Sequence, residues 1–183
     1  FDSNKGPMLF PKPGKEMIYL GLLNSDLYDF ILNVLNPTLS IQNGDIDKLP
    51  IIDVNESEFD FRVKECLKIL RADWLSWELS WDFKKPLLLS DSNCQLWEFD
   101  TFLTVSESCK RLKTIEDEIN ELVFDAANIP LSERAIYKRP EVNSLKSAMH
   151  ISFSMIGEHE NLTINHHLKS LISYAIGCMM GRY

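Results

Sequence analysis

The longest periodic segment of the chain restricts its possible folds most strongly. Apolar side chains recur there at spacings of three and four residues, at Phe102, Val105, Cys109, Leu112, Ile115, Ile119, Leu122 and Ala126. This spacing resembles a heptad seam with one slip, and it predicts a long α-helix that packs along a second helix. A helical hairpin or bundle is therefore expected in this part of the chain.

Three other segments have helical patterns. Apolar residues from Met17 to Leu35 are too dense for a helix that faces solvent, so they predict a buried helix. This helix should break at residues 24–26, where a polar residue would cap its second half. Residues 55–77 combine a start that resembles a capping box with an amphipathic stripe, and they predict a second helix. Residues 165–183 begin as another amphipathic helix.

A short polar segment between the first two helical patterns favours β structure. Asn36 before Pro37 ends the preceding helix, because the residue before proline avoids the α region. Residues 39–42 alternate in polarity like a strand, and a turn at Asn43-Gly44 leads into one helical turn. Residues 50–53 resemble an edge strand with proline at its first position, and residues 149–156 have a third strand-like pattern.

These patterns together predict a mostly α fold with a small β element (α+β). Residues 1–54 would form a first domain that holds the helix–strand segment. Residues 55–183 would form a second domain in which the long helices build a hairpin or bundle. The chain has no initiator Met and stops within an apolar pattern, which predicts that it is a fragment of a longer protein.

The charge and composition exclude some classes of function. The net charge of −8 argues against strong DNA binding by this chain alone, because phosphate neutralisation by basic side chains supplies most non-specific affinity. It leaves open a chain that contacts base edges while another domain binds the phosphates. No run of about 18 apolar residues occurs, so no membrane span is predicted. The expected location is the cytoplasm.

The chain contains no recognisable catalytic motif. It lacks GxGxxG, Walker A and GxSxG motifs, and the adjacent His166 and His167 would point about 100° apart on a helix. The four cysteines lack CxxC spacing, which favours free cytosolic thiols over a zinc site. Trp74, Trp77 and Trp81 could stack on bases, but burial between helices is favoured. No catalytic, cofactor-binding or metal-binding residue is predicted.

Four stretches, in this order, resemble one family of enzymes. The stretch "LGLLNSDLYDFILNVLNPTLSIQNGDIDKLPI" resembles the C-terminal part of a target-recognition domain in large adenine-specific DNA methyltransferases, namely the PglX enzymes of BREX phage-defence systems and related fused restriction-modification enzymes. The stretches "RADWLSWELSWDF" and "RLKTIEDEINELVFDAANI" resemble the segment and long helix that follow. The stretch "LISYAIGCMMGRY" resembles a segment near the family's C-terminal end.

The resemblance implies a parent enzyme that transfers a methyl group from S-adenosylmethionine to adenine N6 in a chosen DNA sequence. The family's catalytic Asn-Pro-Pro-Tyr motif and its glycine-bearing cofactor motif lie N-terminal to this region. Here the only Asn-Pro is Asn36-Pro37, which Thr38 follows. We therefore predict that this chain alone neither binds the cofactor nor methylates DNA, and turnover by the isolated chain in a methyl-transfer assay would contradict this.

The resemblance also gives a reason for the polar segment near Asn36. Reading bases in the major groove needs amide and hydroxyl groups on a rigid support. Thr38, Ser40, Gln42 and Asn43 are therefore candidate contacts to double-stranded DNA, and the long helix would place them relative to the parent's own N-terminal methyltransferase domain. The competing interpretation is that these side chains satisfy turn and cap hydrogen bonds within the fold.

A second function class fits the same sequence. The helices could form a protein–protein interaction module that docks other components of a defence complex, which the acidic charge would suit. A base-reading part should change target preference when Gln42 or Asn43 is altered. A docking module should instead lose complex assembly when exposed apolar helix residues are altered.

Overall fold

The computed structural model describes residues 8–38, 41–86, 89, 97–139 and 160–182. Its helices, in chain order, are α1 (Glu16–Leu23), α2 (Asp26–Leu35), α3 (Asn43–Ile46), α4 (Glu56–Leu75), α5 (Trp97–Ala126), α6 (Arg134–Tyr137) and α7 (Glu160–Met179). The described residues contain no strand. The fold is therefore mostly helical, as the sequence patterns predict.

The predicted β element is absent from the described part of the chain. Ile41, Gln42 and residues 50–53 lie outside any strand, while residues 39, 40 and 149–156 lie outside the described ranges. The carbonyl of Pro50 accepts a hydrogen bond from the Tyr28 hydroxyl at 2.5 Å, a tertiary contact in place of a ladder bond. A short strand without a neighbouring strand leaves its backbone groups unpaired, so local alternation alone does not stabilise one.

The break between α1 and α2 confirms the predicted interruption at residues 24–26. Ser25 is the N-cap of α2 with extended backbone, but its hydroxyl donates backwards to the Leu22 carbonyl at 2.7 Å. The first backbone N–H of α2, that of Asp26, instead donates to Asn120 Oδ1 at 2.9 Å. The N–H groups in the first turn of a helix have no partner within the helix and are usually bound by a capping side chain. Here the side-chain amide of Asn120, from α5, takes that role for Asp26.

The chain divides into two compact units. Unit 1 contains Phe1–Cys66 and Thr114–Pro140, and unit 2 contains Leu67–Lys113 and Glu141–Tyr183. Helices α4 and α5 each contribute residues to both units. The domain boundary expected after residue 54 stays a prediction.

The core of unit 1 forms where α1 lies close to α4. Phe59 and Val63 of α4 are buried beside Gly21 of α1. A Cβ atom at position 21 would lie 2.5 Å from Phe59 Cε1 and 2.6 Å from Val63 Cγ2. Both distances are far below van der Waals contact, so only glycine permits this approach of the two helices.

The long helix α5 buries the middle of the predicted seam, while the side chains of Phe102, Val105 and Cys109 lie outside the described part of the chain. Leu112, Ile115 and Ile119 are buried, as the spacing predicts. Further along, Val123 and Phe124 are fully buried, whereas the predicted Leu122 is only half-buried. A straight helix of 3.6 residues per turn drifts from a seven-residue repeat, so the buried face moves around the helix over several turns.

Replacement of Gly21 by alanine tests the close approach of α1 and α4. We expect Gly21→Ala to lower the free energy of unfolding by about 1–3 kcal/mol, because the added methyl overpacks a filled core. Urea unfolding monitored by circular dichroism measures this change. The matched control is Gly44→Ala in α3, where an added Cβ meets nothing within 4 Å. If Gly21→Ala were as stable as this control, the described packing would be wrong.

Candidate functional site

The segment from Asn36 to Asp45, named here the polar loop, joins α2 to α3 and carries the predicted DNA contacts. Thr38, Gln42 and Asn43 lie in this loop and are exposed. Ser40 lies outside the described residues. The structure thus brings three of the four candidates into one short surface segment, and their contact with DNA stays a prediction.

The carboxylate of Asp45 ties the two ends of the polar loop together. Its Oδ2 accepts a hydrogen bond from Asn36 Nδ2 at 2.7 Å and another from the Gln42 backbone N–H at 3.0 Å. Its Oδ1 lies 3.9 Å from the Lys48 ammonium. The side chain of Asp45 is buried, so these bonds replace water around a charged group.

A second set of hydrogen bonds folds the start of the loop onto Asn36. The Asn36 Oδ1 atom accepts the Thr38 backbone N–H at 3.0 Å and the Thr38 hydroxyl at 2.6 Å. This is the local side-chain bonding that asparagine favours at turns. Thr38 therefore already donates its hydroxyl proton within the loop, as the competing interpretation predicts.

Gln42 and Asn43 lie at the start of α3. Gln42 precedes α3 and Asn43 begins it, and both residues are exposed to solvent. The backbone of Gln42 is fixed by its bond to Asp45. The Gln42 side chain also caps α3: it accepts the backbone N–H of Asp45, while the Asp45 carboxylate accepts the backbone N–H of Gln42. The loop thus combines bonded anchors with exposed polar residues on a fixed backbone, which is an arrangement able to bind a hydrogen-bonding partner.

The bonds to Asp45 also change its acidity. The hydrogen bond from Asn36, and then the backbone N–H of Gln42 and the charge of Lys48, hold the pKa of the Asp45 carboxyl below its ordinary value. Since these bonds favour the ionised form, the carboxylate stays charged at neutral pH.

A second polar cluster connects α2, α5 and the segment after α6. Arg139 Nε lies 2.8 Å from Asp26 Oδ1, and Asn120 Nδ2 donates to Asp26 Oδ2 at 3.0 Å. The Arg139 guanidinium also donates to the Asn24 carbonyl. Sequence reasoning missed this cluster, because 113 residues separate Asp26 from Arg139 and no local pattern joins them.

Burial alters two carboxyl groups near this cluster. It raises the pKa of Asp26, although the Arg139 charge opposes the shift. It also raises the pKa of Glu116 to about 7, where Arg139 again opposes and the charges of Asp117 and Asp26 add to the shift. The contacts of Asp26 with Asn120 and Arg139 are internal to the fold, so we assign this cluster a structural role.

The described ranges contain neither a metal-binding cluster nor a membrane-spanning helix. No three or more His, Cys, Asp or Glu residues there are grouped so that they could hold a metal ion. No helix of that part of the chain is long and apolar enough to cross a bilayer.

Comparison with known proteins identifies relatives of the chain. No protein-family model matches it. The chain is 27% identical over 169 residues to the adenine-specific methyltransferase BrxX of Escherichia coli O9:H4 (strain HS). The matched region covers 90% of the chain and 14% of that relative. It is also 24% identical over 195 residues to the adenine-specific methyltransferase PglX of Lacticaseibacillus casei (strain Zhang). Here the matched region covers 100% of the chain and 15% of the relative.

These similarities confirm the resemblance that the sequence motifs indicate. The chain is related to adenine-specific methyltransferases of the PglX and BrxX type. It spans only about one seventh of the length of each of these relatives, as the coverage values of 14% and 15% show.

The acidity of Asp45 gives a test of the polar loop. Because its pKa is lower in the folded than in the unfolded chain, Asp45 stabilises the fold above its unfolded pKa, and this contribution is lost as the pH falls through the folded pKa. Asp45→Asn should therefore be less stable than the original chain at pH 7, and the difference should be smaller at pH 3. Urea unfolding at both pH values measures the difference. Asp47→Asn, at an exposed carboxyl two residues away, is the control. A stability difference that did not shrink in acid would contradict the assigned bonds.

Glu116 should show the opposite pH dependence. Its folded pKa of about 7 lies above its ordinary value of 4.5, so its contribution favours the fold at low pH and is lost as the pH rises from about 4.5 through 7. Glu116→Gln should stabilise the chain at pH 8 by about 1–3 kcal/mol and have little effect at pH 4. Thermal unfolding across this range tests the effect. Glu133→Gln at an exposed site is the control, and parallel pH profiles for both variants would refute the burial of Glu116.

Proposed function

We propose that the chain is the DNA target-recognition and positioning part of a site-specific adenine-N6 DNA methyltransferase, without the catalytic domain. The observation that carries this proposal is the similarity to adenine-specific methyltransferases along 90% and 100% of the chain, which spans only 14% and 15% of their length. The sequence contains no Asn-Pro-Pro-Tyr motif and no glycine-rich cofactor motif. The similarity therefore supports a non-catalytic part of such an enzyme.

The polar loop supports a role in reading bases. Glutamine and asparagine side chains can form paired hydrogen bonds with the N6 and N7 atoms of adenine in the major groove. Gln42 and Asn43 present exposed amides at the start of α3, and Asp45 holds the backbone beneath them. We therefore rank Asn43 first. Gln42 follows, because its side chain also accepts the Asp45 backbone N–H, and Thr38 ranks below it, because its hydroxyl already donates to Asn36. Ser40 remains a candidate contact from the sequence pattern.

The charge of the chain supports a division of work within the parent enzyme. A chain with a net charge of −8 repels the DNA backbone, so phosphate contacts would come from the parent's own N-terminal methyltransferase domain. That domain would also bind S-adenosylmethionine, which supplies the methyl group. Residues of this chain would orient the duplex before transfer. Such an enzyme would act on double-stranded DNA in the bacterial cytoplasm, in a restriction-modification or phage-defence system.

A protein-docking function is the second candidate, and exposed apolar side chains in unit 2 favour it. Trp81 and Met179 are the most exposed of these. In this alternative the chain would bind other proteins of a defence system, and the polar loop would have a structural role. Target preference would then be insensitive to Gln42 and Asn43.

Substitution of the exposed amides in the full-length methyltransferase separates the two functions. We expect Gln42→Ala or Asn43→Ala to change the preference between the preferred target and single-base variants by roughly 5- to 150-fold in kcat/KM, because one paired amide–adenine contact contributes about 1–3 kcal/mol of discrimination. Tritium-methyl incorporation into oligonucleotide duplexes measures this ratio. Asn33→Ala removes an exposed amide from α2, outside the polar loop, and serves as the matched control. Unchanged preference in both loop variants would reject base reading by this loop.

A further inference from the structure

The segment that contains α3 is attached to α2 at two separate points. Near its start, Asn36, the C-cap of α2, donates to the Asp45 carboxylate at 2.7 Å. At its far end, the Tyr28 hydroxyl donates to the Pro50 carbonyl at 2.5 Å. Tyr28 lies in the first turn of α2, eight residues before Asn36. These two residues of α2 are therefore about 12 Å apart along the helix axis.

The chain that leads from the polar loop to Pro50 is a compact backbone turn. The backbone N–H groups of residues 45–49 each donate to a carbonyl three or four residues earlier, at 3.0–3.4 Å, and the first of these carbonyls is that of Gln42. Pro50 follows directly, and its ring fixes its own φ angle. Residues 42–50 therefore form one rigid piece, so a displacement of Pro50 would displace Asn43 with it.

Two attachments restrict this piece in a way that one attachment does not. With the bond between Asn36 and Asp45 alone, α3 could pivot about that bond. The bond from Tyr28 to Pro50 removes this freedom, because a rigid piece that is bound to a helix at two distant points cannot swing away about either of them. A hydrogen bond weakens steeply outside its favoured distance and angle, so a side chain that reads a base needs such a fixed support.

Tyr28 is itself held firmly enough to act as an anchor. The residue is only 4% exposed, and the start of its helix is bound by Asn120, which accepts the Asp26 backbone N–H at 2.9 Å. Burial raises the pKa of Tyr28, although a hydrogen bond with the Ile52 backbone opposes the shift. The hydroxyl therefore keeps the proton that it donates to Pro50 at neutral pH.

We propose that Tyr28 is a positioning residue for target recognition, whose hydroxyl fixes the orientation of α3 through the Pro50 carbonyl and so aims the side chain of Asn43 at the DNA. This inference rests on the proposed function, in which the polar loop reads bases. Phenylalanine would fill the same buried space, so the bond to Pro50 is the feature that requires tyrosine at this position. Tyr28 contacts no base itself and acts through α3.

Replacement of Tyr28 by phenylalanine in the full-length methyltransferase tests the proposal. Tyr28→Phe keeps the buried ring and removes the hydroxyl that donates to Pro50. We expect the preference for the target over its single-base variants to fall by roughly 2- to 10-fold in kcat/KM, which is the factor that corresponds to one hydrogen bond. Tritium-methyl incorporation into oligonucleotide duplexes measures this ratio.

Tyr137→Phe is the matched control for this substitution. It removes a hydroxyl from another tyrosine of unit 1, whose ring meets the Phe30 ring edge-on with centroids 4.9 Å apart. The aromatic contact remains in the variant. The preference for the target should therefore stay unchanged.

A combined variant separates positioning from a general effect on the fold. If Tyr28 acts only through α3, Tyr28→Phe should have no further effect on target preference once Gln42 and Asn43 are both replaced by alanine. Substitutions at independent sites would instead have additive effects. An undiminished effect of Tyr28→Phe in this background would therefore overturn the proposal.

Amide hydrogen exchange of the same full-length proteins reports the attachment without methylation. We expect peptides that cover residues 42–49 to exchange roughly 2- to 10-fold faster in Tyr28→Phe than in the original protein, because the turn opens more easily without its second attachment. Peptides from α4 should exchange at the original rate. Equal acceleration of both would show general destabilisation and would contradict the positioning role.

The outcomes distinguish this inference from the function on which it rests. If the Gln42 and Asn43 variants change target preference but Tyr28→Phe does not, base reading stands and the positioning role is wrong. If only Tyr28→Phe changes it, the effect does not pass through α3, which also overturns the proposal. If none of them changes it, base reading by this loop is rejected, and faster exchange in Tyr28→Phe would leave the bond a structural role only. Unchanged exchange would refute the attachment itself.

Discussion

The close approach of α1 to α4 at Gly21 is the contact on which unit 1 depends. It seats α1 against Phe59 and Val63, and the short break at residues 24–25 then directs α2 toward α5. There the Asp26 backbone is bound by Asn120, and its carboxylate is bound by Arg139. Because these bonds fix the start of α2, and because the helix is rigid, they also determine where the polar loop begins at its other end. The loop is thus supported by packing that lies at the far end of the helix.

The polar loop divides its side chains between two tasks. Asn36 and Asp45 satisfy each other and the local backbone, and Thr38 bonds to Asn36. These residues account for part of the unusual polarity of the segment by internal hydrogen bonding alone. Gln42 also takes part in this internal bonding, because its side chain accepts the Asp45 backbone N–H in a capping box although the residue is exposed. Internal hydrogen bonding therefore explains a glutamine at position 42 without DNA, and contact of Gln42 and Asn43 with DNA stays a prediction.

Local pattern predicted what depends on neighbours in sequence and missed what depends on distant contacts. Helices α4, α5 and α7 follow from apolar periodicity, and Asn36 before Pro37 ends α2 as expected. The strand at residues 50–53 was wrong, because Tyr28 takes the Pro50 carbonyl and no described strand lies beside it. The sequence also did not predict the need for glycine at position 21, because that need arises only from the contact with Phe59, which is distant in sequence. For the candidate site, sequence reasoning identified the polar loop, but it did not separate anchoring residues from exposed ones.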